Sequence, residues 1–131
     1  MPRVLVVDDD AQIRRLFRMA LEGEGYEVHE AGDGVAALSH FAEIRPELVI
    51  TDVMMPEKDG LETILEIRRA APQARILAVS GGGQLNVLTC LVMARNLGAD
   101  AVLAKPVQVN ALLDIVRQLF ERPCGEGACG E

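Results

Sequence analysis

Carboxylates, a hydroxyl and an amine stand in this sequence directly behind short apolar runs. Asp8, Asp9 and Asp10 follow the run 4–7, and Asp52 follows the run 48–50 after a threonine. Ser80 and three glycines follow 76–79, and Lys105-Pro106 follows 101–104. Where parallel strands alternate with helices, the carboxyl ends of the strands share one rim, and ligands sit there at the point where strand order reverses. Asp8, Asp9, Asp52, Ser80 and Lys105 are therefore expected to converge. Like charges a few ångströms apart repel in a partly buried site, so such carboxylates need a compensating cation, and the hard, oxygen-liganded Mg²⁺ suits them. Asp52 could then attack phosphorus as a nucleophile and form an aspartyl phosphate. Lys105 and Ser80 would hold phosphoryl oxygens, on which negative charge is spread during transfer.

Singly, each residue has a plainer explanation. Aspartates before a helix cap it, and Asp10 is expected to do so. Asp52 alone is an ordinary turn residue and Lys105 an ordinary solvated lysine. Gly81-Gly82-Gly83 is no phosphate cradle, because no Gly-Lys-Ser/Thr follows and the run precedes no first helix. His29 and His40 lie far from the aspartates in sequence and need no metal to account for them. Cys124 and Cys129 offer two thiols without further ligands, an incomplete metal site.

The elements that must position these groups follow from periodicity. The runs 4–7, 48–50, 76–79 and 101–104 are near-continuously apolar, as buried parallel strands are. The run 26–31 mixes Glu27, His29 and Glu30 with Tyr26 and Val28, which suits a sheet edge. Ile13, Leu16, Phe17, Ala20 and Leu21 form one face of a surface helix, with Arg14, Arg15 and Arg18 elsewhere on it. Further helices are predicted at 34–44, 60–70, 84–97 and 109–120, with Gly23, Gly25 and Gly98 as stops. Strand and helix alternate five times, which right-handed crossovers turn into a doubly wound α/β domain.

Helix 84–97 is more apolar than one buried stripe requires, with Val87, Leu91 and Ala94 on one face and Leu85, Leu88 and Val92 beside it. The last helix has Ile115 and Leu119 next to its main stripe of Val109, Leu112, Leu113 and Val116. Some of this surface is expected to stay exposed as a contact patch.

The 131 residues suit one domain, taken as 1–122, and the small and charged residues of 123–131 read as a flexible tail. A net charge of −7 opposes nucleic acid and anionic membranes as partners. Neither a membrane-length apolar run nor a cleavable leader is visible, and the three cysteines suggest no disulfide framework. A cytoplasmic location is the expectation.

Four motifs in this order, Val6-Val7-Asp8-Asp9, Asp52-Val53-Met54-Met55-Pro56 with Asp59-Gly60, Ser80-Gly81 and Lys105-Pro106, resemble the response-regulator receiver domain of two-component signalling, including its stand-alone chemotaxis type. The resemblance implies a flavodoxin-like, five-stranded parallel sheet of order 2-1-3-4-5 with five helices. It implies Asp52 as phosphoacceptor, and Asp8, Asp9, Asp52 and the Met54 backbone carbonyl as Mg²⁺ ligands, Asp8 mainly through water. Ser80 would be the switch hydroxyl and Lys105 its cationic partner, with a cis peptide into Pro106. The implied donor is a sensor histidine kinase or histidine phosphotransfer protein. The implied output surface is the face of 84–97, 101–104 and 109–120, binding a downstream protein or a second phosphorylated copy.

Two departures stand out. Val102 occupies the place, three before the lysine, where many relatives carry a rotating aromatic ring, so output must run through Ser80 and the glycine loop instead. Met54 and Gly82 flank the phosphoryl position, where the family tunes phosphoryl lifetime. The chain is thus expected to be a switch that catalyses its own phosphorylation and dephosphorylation, not an enzyme acting on an external substrate. Two other readings compete: a metal-dependent phosphatase using Asp8-Asp9-Asp10 as Asp-x-Asp, and a receiver fold kept only as a scaffold.

Overall fold

In the first apolar run residues of both parities are hydrophobic, and Val4, Leu5, Val6 and Val7 are all buried. A strand apolar on both sides needs a cover on each. A computed structural model of the chain describes residues 2–53, 60–80, 92, 96 and 98–121. The strands are β1 (Arg3–Val7), β2 (Glu27–Ala31), β3 (Leu48–Asp52), β4 (Arg75–Ser80) and β5 (Ala101–Ala104). The helices are α1 (Ala11–Glu22), α2 (Gly34–Ile44), α3 (Gly60–Ala70) and α4 (Val109–Glu121). All neighbouring strands pair in parallel, in the order β2-β1-β3-β4-β5. The chain thus winds outward from β1 to β2, then reverses to β3 on the other side of β1. The expected helix at 84–97 and the stretch 54–59 lie outside the described residues, except that Val92 and Asn96 have helical backbone. So does the tail beyond 121.

Each face of the sheet carries its own core. Leu5, Val7, Val49, Ile76 and Ala78 pack with Ala37 of α2 and Ile64 and Ile67 of α3. Val4, Val6, Ile50, Leu77 and Val79 pack with Phe17 and Leu21 of α1 and Leu112, Val116 and Leu119 of α4. Two single-residue expectations change. Leu119, expected beside the main stripe, is 2% exposed; it follows Leu112 and Val116 at steps of four and three and so shares their face. Leu16, placed by its spacing on the buried face of α1, is 47% exposed, because that face centres on Phe17 and Leu21. β5 is half-buried rather than buried, being, like β2, a sheet edge with a strand on one flank only.

At the end of the sheet away from the aspartates, one arginine ties three segments together. Arg68, in the last turn of α3, places all its N–H groups on nearby acceptors. Its Nε and Nη2 donate to the Gly98 carbonyl at 3.2 and 2.7 Å, and Nη1 donates to those of Pro72 and Ala74, each at 2.7 Å. Nη2 also meets Asp100 Oδ2 at 2.9 Å, and the same oxygen accepts from the Ile76 amide at 2.8 Å. Gly98 has φ +123°, and a Cβ there would stand 3.1 Å from Arg68 Cγ and Nε. The backbone angle therefore favours glycine, and any side chain there would also push the arginine stem aside. Replacing Arg68 with Met keeps the stem but orphans these acceptors, so urea unfolding should show a loss of about 2–4 kcal/mol. A loss under about 0.5 kcal/mol, the size of an ordinary surface change, would mean that water satisfies them equally well.

Candidate functional site

The reversal of strand order places β1 beside β3, with Val7 level with Thr51. The next residue of each strand path, Asp8 and Asp52, therefore emerges at the same height on the rim. Asp8 continues the pairing with β2 through its amide, which donates to the Ala31 carbonyl at 3.1 Å. Asp8 and Asp52 are 2% and 6% exposed, whereas Asp9, on the open turn into α1, is exposed. Carboxylate oxygens of Asp8, Asp9 and Asp52 lie within 4.8 Å of one another, and among the described residues no other group of acidic, histidine or cysteine side chains is so arranged. Three hard oxygen donors so close, two of them buried, fit a divalent cation of the Mg²⁺ type.

Lys105 enters the same rim from the other side. It follows β5, whose last residue Ala104 is level with Ser80, and its side chain reaches across β4 to β3 and β1. Its Nζ lies 3.1 Å from Asp8 Oδ2 and 3.2 Å from Asp52 Oδ2. The Lys105–Pro106 peptide is cis, as the resemblance implies. Burial acts to lower the Lys105 pKa, but the Asp8 hydrogen bond and the charges of Asp52 and Asp8 outweigh it and hold the ammonium above its ordinary range. For Asp8 the balance is opposite. Burial, helped by the nearby Asp52 charge, raises its carboxyl above the usual range despite the hydrogen bond from the Asp10 amide and the bridge to Lys105.

Asp10 has the part expected of it: it caps α1, accepting from the Gln12 amide at 2.9 Å. Ser80 ends β4 at the rim, with its side chain outside the described residues, as are Met54 and Gly81-Gly82-Gly83. Val102 is half-buried in β5 against the α2–α3 core. His29 lies on β2 with Nε2 2.7 Å from Glu27 Oε2, away from the rim aspartates. Sequence reasoning missed one contact at the site: Arg14 Nη1 donates to the Asp8 carbonyl at 2.6 Å. Nothing in the sequence signals it, because an arginine on the polar side of a helix reads as solvated.

The fold and rim define a doubly wound α/β domain with an acidic triad and a lysine at its switch point, and comparison with known proteins gives its family. Residues 4–117 match the family model described as the response regulator receiver domain. The chain is 37% identical over 129 residues to the response regulator MprA of Mycolicibacterium vanbaalenii, covering 98% of this chain and 54% of that protein. It superposes on the crystal structure of a response regulator receiver domain protein from Clostridium thermocellum with a TM-score of 0.85 at 29% identity, covering 93% of this chain and 96% of that one. A CheY-like receiver domain protein from Methanospirillum hungatei JF-1 gives 0.83 at 32% identity, with coverage of 92% and 95%. The chain belongs to the response regulator receiver domain family of two-component signal transduction. It spans about half the length of the curated relatives it matches. Among the described residues no helix is long and apolar enough to cross a membrane.

The raised Asp8 carboxyl gives a signed test. A proton is held more tightly there in the fold than in the unfolded chain, so this group's contribution to stability is greatest at low pH and is lost as pH rises through the folded value. Without metal at pH 7, Asp8→Asn should therefore melt a few degrees above the parent. The advantage should shrink as pH falls toward about 4, the ordinary aspartate value, when the parent's own Asp8 becomes protonated. A variant melting below the parent at pH 7 would show that the Lys105 bridge outweighs burial.

Proposed function

We propose that Asp52 accepts a phosphoryl group from a phosphohistidine on a sensor kinase or phosphotransfer protein, and that the phosphorylated domain changes its affinity for a downstream protein. The observation that carries this reading is the meeting of three carboxylates with the Lys105 ammonium on one rim. An Asp52 oxygen attacks phosphorus, the P–N bond breaks and the imidazole leaves; water later cleaves the acyl phosphate. Asp8, Asp9, Asp52 and the Met54 carbonyl would hold Mg²⁺, whose charge offsets that of the phosphoryl oxygens. Lys105, drawn in ionised form toward Asp8 and Asp52, is placed to follow a phosphoryl oxygen once one is attached to Asp52. Ser80, at the end of β4, would supply the switch hydroxyl.

The unit doing this is proposed to be residues 1–122, acting in the cytoplasm. Output would pass through the 81–97 segment to the face expected of 84–97 with β5 and α4, taken by a partner protein or a phosphorylated second copy. Val102 leaves no aromatic ring for the usual rotation. The named role of the longer relatives as response regulators supports the signalling assignment. The phosphatase alternative needs Asp10 as general acid, but the Asp10 side chain is engaged in capping α1. Intact Asp8, Asp9, Asp52, Ser80 and Lys105 weigh against a scaffold only.

Acetyl phosphate with Mg²⁺ should label the parent, with the phosphoryl mass mapped to Asp52. Asp52→Asn should fall to background labelling while keeping its fold, since an amide is a poor nucleophile and gives up a metal-binding charge. Parent-rate labelling of that variant at another residue would overturn the assignment.

A further inference from the structure

Arg14 brings a cation close to the acidic rim yet aims it elsewhere. Its side chain is 19% exposed, and its guanidinium faces the Asp8 backbone carbonyl at 2.6 Å and Glu30 Oε1 at 3.1 Å. Glu30 sits on β2 beside β1, level with Val6, and its other oxygen accepts from Arg18 Nη1 at 3.0 Å. Arg18 is fixed in turn by Glu22 at 2.9 Å. The hydrogen bonds from Arg18 and then Arg14 keep the Glu30 carboxyl below its usual range, so the brace is ionised at neutral pH. A Cβ at Gly32 would stand 3.5 Å from Arg14 Nη1, an ordinary van der Waals distance, so the guanidinium lies over that turn.

The Asp8–Asp10 turn is closed by bonds of several kinds. The Asp8 amide is held by Ala31, the Asp10 amide by Asp8 Oδ1 at 2.9 Å, and the Asp10 carbonyl by the Arg14 amide at 3.1 Å. The Asp8 carbonyl is held by the Arg14 side chain. That last bond fixes the peptide joining Asp8 to Asp9, and rotation of this peptide would swing both carboxylates. Mutual repulsion among Asp8, Asp9 and Asp52 favours such a swing whenever no cation is bound.

We infer that Arg14, braced by Glu30, is a positioning residue for the divalent cation: it locks the Asp8–Asp9 peptide so that both carboxylates stay converged before the cation arrives. The inference rests on the Mg²⁺ reading above. A site held ready binds its ion more tightly than one that must be gathered, and loss of such an outer partner weakens metal binding by about 10–100-fold. Plain electrostatics gives the opposite sign. If Arg14 were only a nearby positive charge, removing it would strengthen Mg²⁺ binding.

The test is a Mg²⁺ titration of the full chain followed by amide NMR, on the parent, Asp9→Ala, Arg14→Met and Arg14→Lys, with metal-free melting measured alongside. Positioning requires that Arg14→Met bind Mg²⁺ about tenfold more weakly than the parent. Arg14→Lys keeps the charge but cannot hold Asp8 and Glu30 in one fork, so it too should bind more weakly, and it decides the matter if Arg14→Met does not fold. Equal or tighter Mg²⁺ binding by either folded variant overturns the inference. If the parent binds no Mg²⁺, or Asp9→Ala binds it as the parent does, it is the metal site itself that fails, whatever Arg14 does.

Discussion

Everything at the functional end of this domain turns on keeping like charges together. Asp8 and Asp52 are both nearly buried and side by side, and Asp9 stands within reach of both. Without compensation such a group would spread apart or take up protons. Lys105 supplies the compensation within the chain by contacting Asp8 and Asp52 at nearly equal distances. The strand order makes this possible, because it sets β1 beside β3 with Val7 level with Thr51, and it places β5 two strands further along the sheet, from where Lys105 reaches back to both aspartates. The sheet, with its two separate cores, is the rigid base against which the repulsion is held.

The incomplete balance is itself informative. Among the described residues one ammonium meets the carboxylates of this rim, and the Asp8 carboxyl is raised even with that ammonium beside it. A rim tuned for stability alone would pair its charges or replace them with apolar groups. This one keeps buried carboxylates side by side, as sites with a functional rather than a stabilising task do.

The rim was legible in the sequence because its residues stand directly behind apolar runs, where strand ends have to be. Helix limits at 34–44 and 60–70 came through for a similar reason, since a capping Asp33 or a terminal Ala70 borders a clear apolar period. What escaped it did so for separate reasons. Arg68 bonds mainly to backbone carbonyls and Arg14 reaches the rim through one, and a carbonyl has no residue type to read. Leu16 and Phe17 are neighbours in one apolar run, and spacing alone cannot say which of them the core takes. Arg45 ends α2 at φ +53°, a place where glycine or asparagine is the usual signal.

The Arg68 fork also sets which neighbouring positions are free to drift. It holds Pro72 and Ala74 through their carbonyls, so the bracket itself asks nothing of either side chain, although Ala74 is held small by the core it is buried in while exposed Pro72 is not. Gly98 has less latitude, because its positive φ strains any side chain and a Cβ there would also press on the arginine stem. A lineage that lost the arginine would relieve only the second of these constraints. Arg68 and Gly98 are thus unequal partners: the glycine would be needed without the arginine, but the arginine's bracket is not easily kept without the glycine.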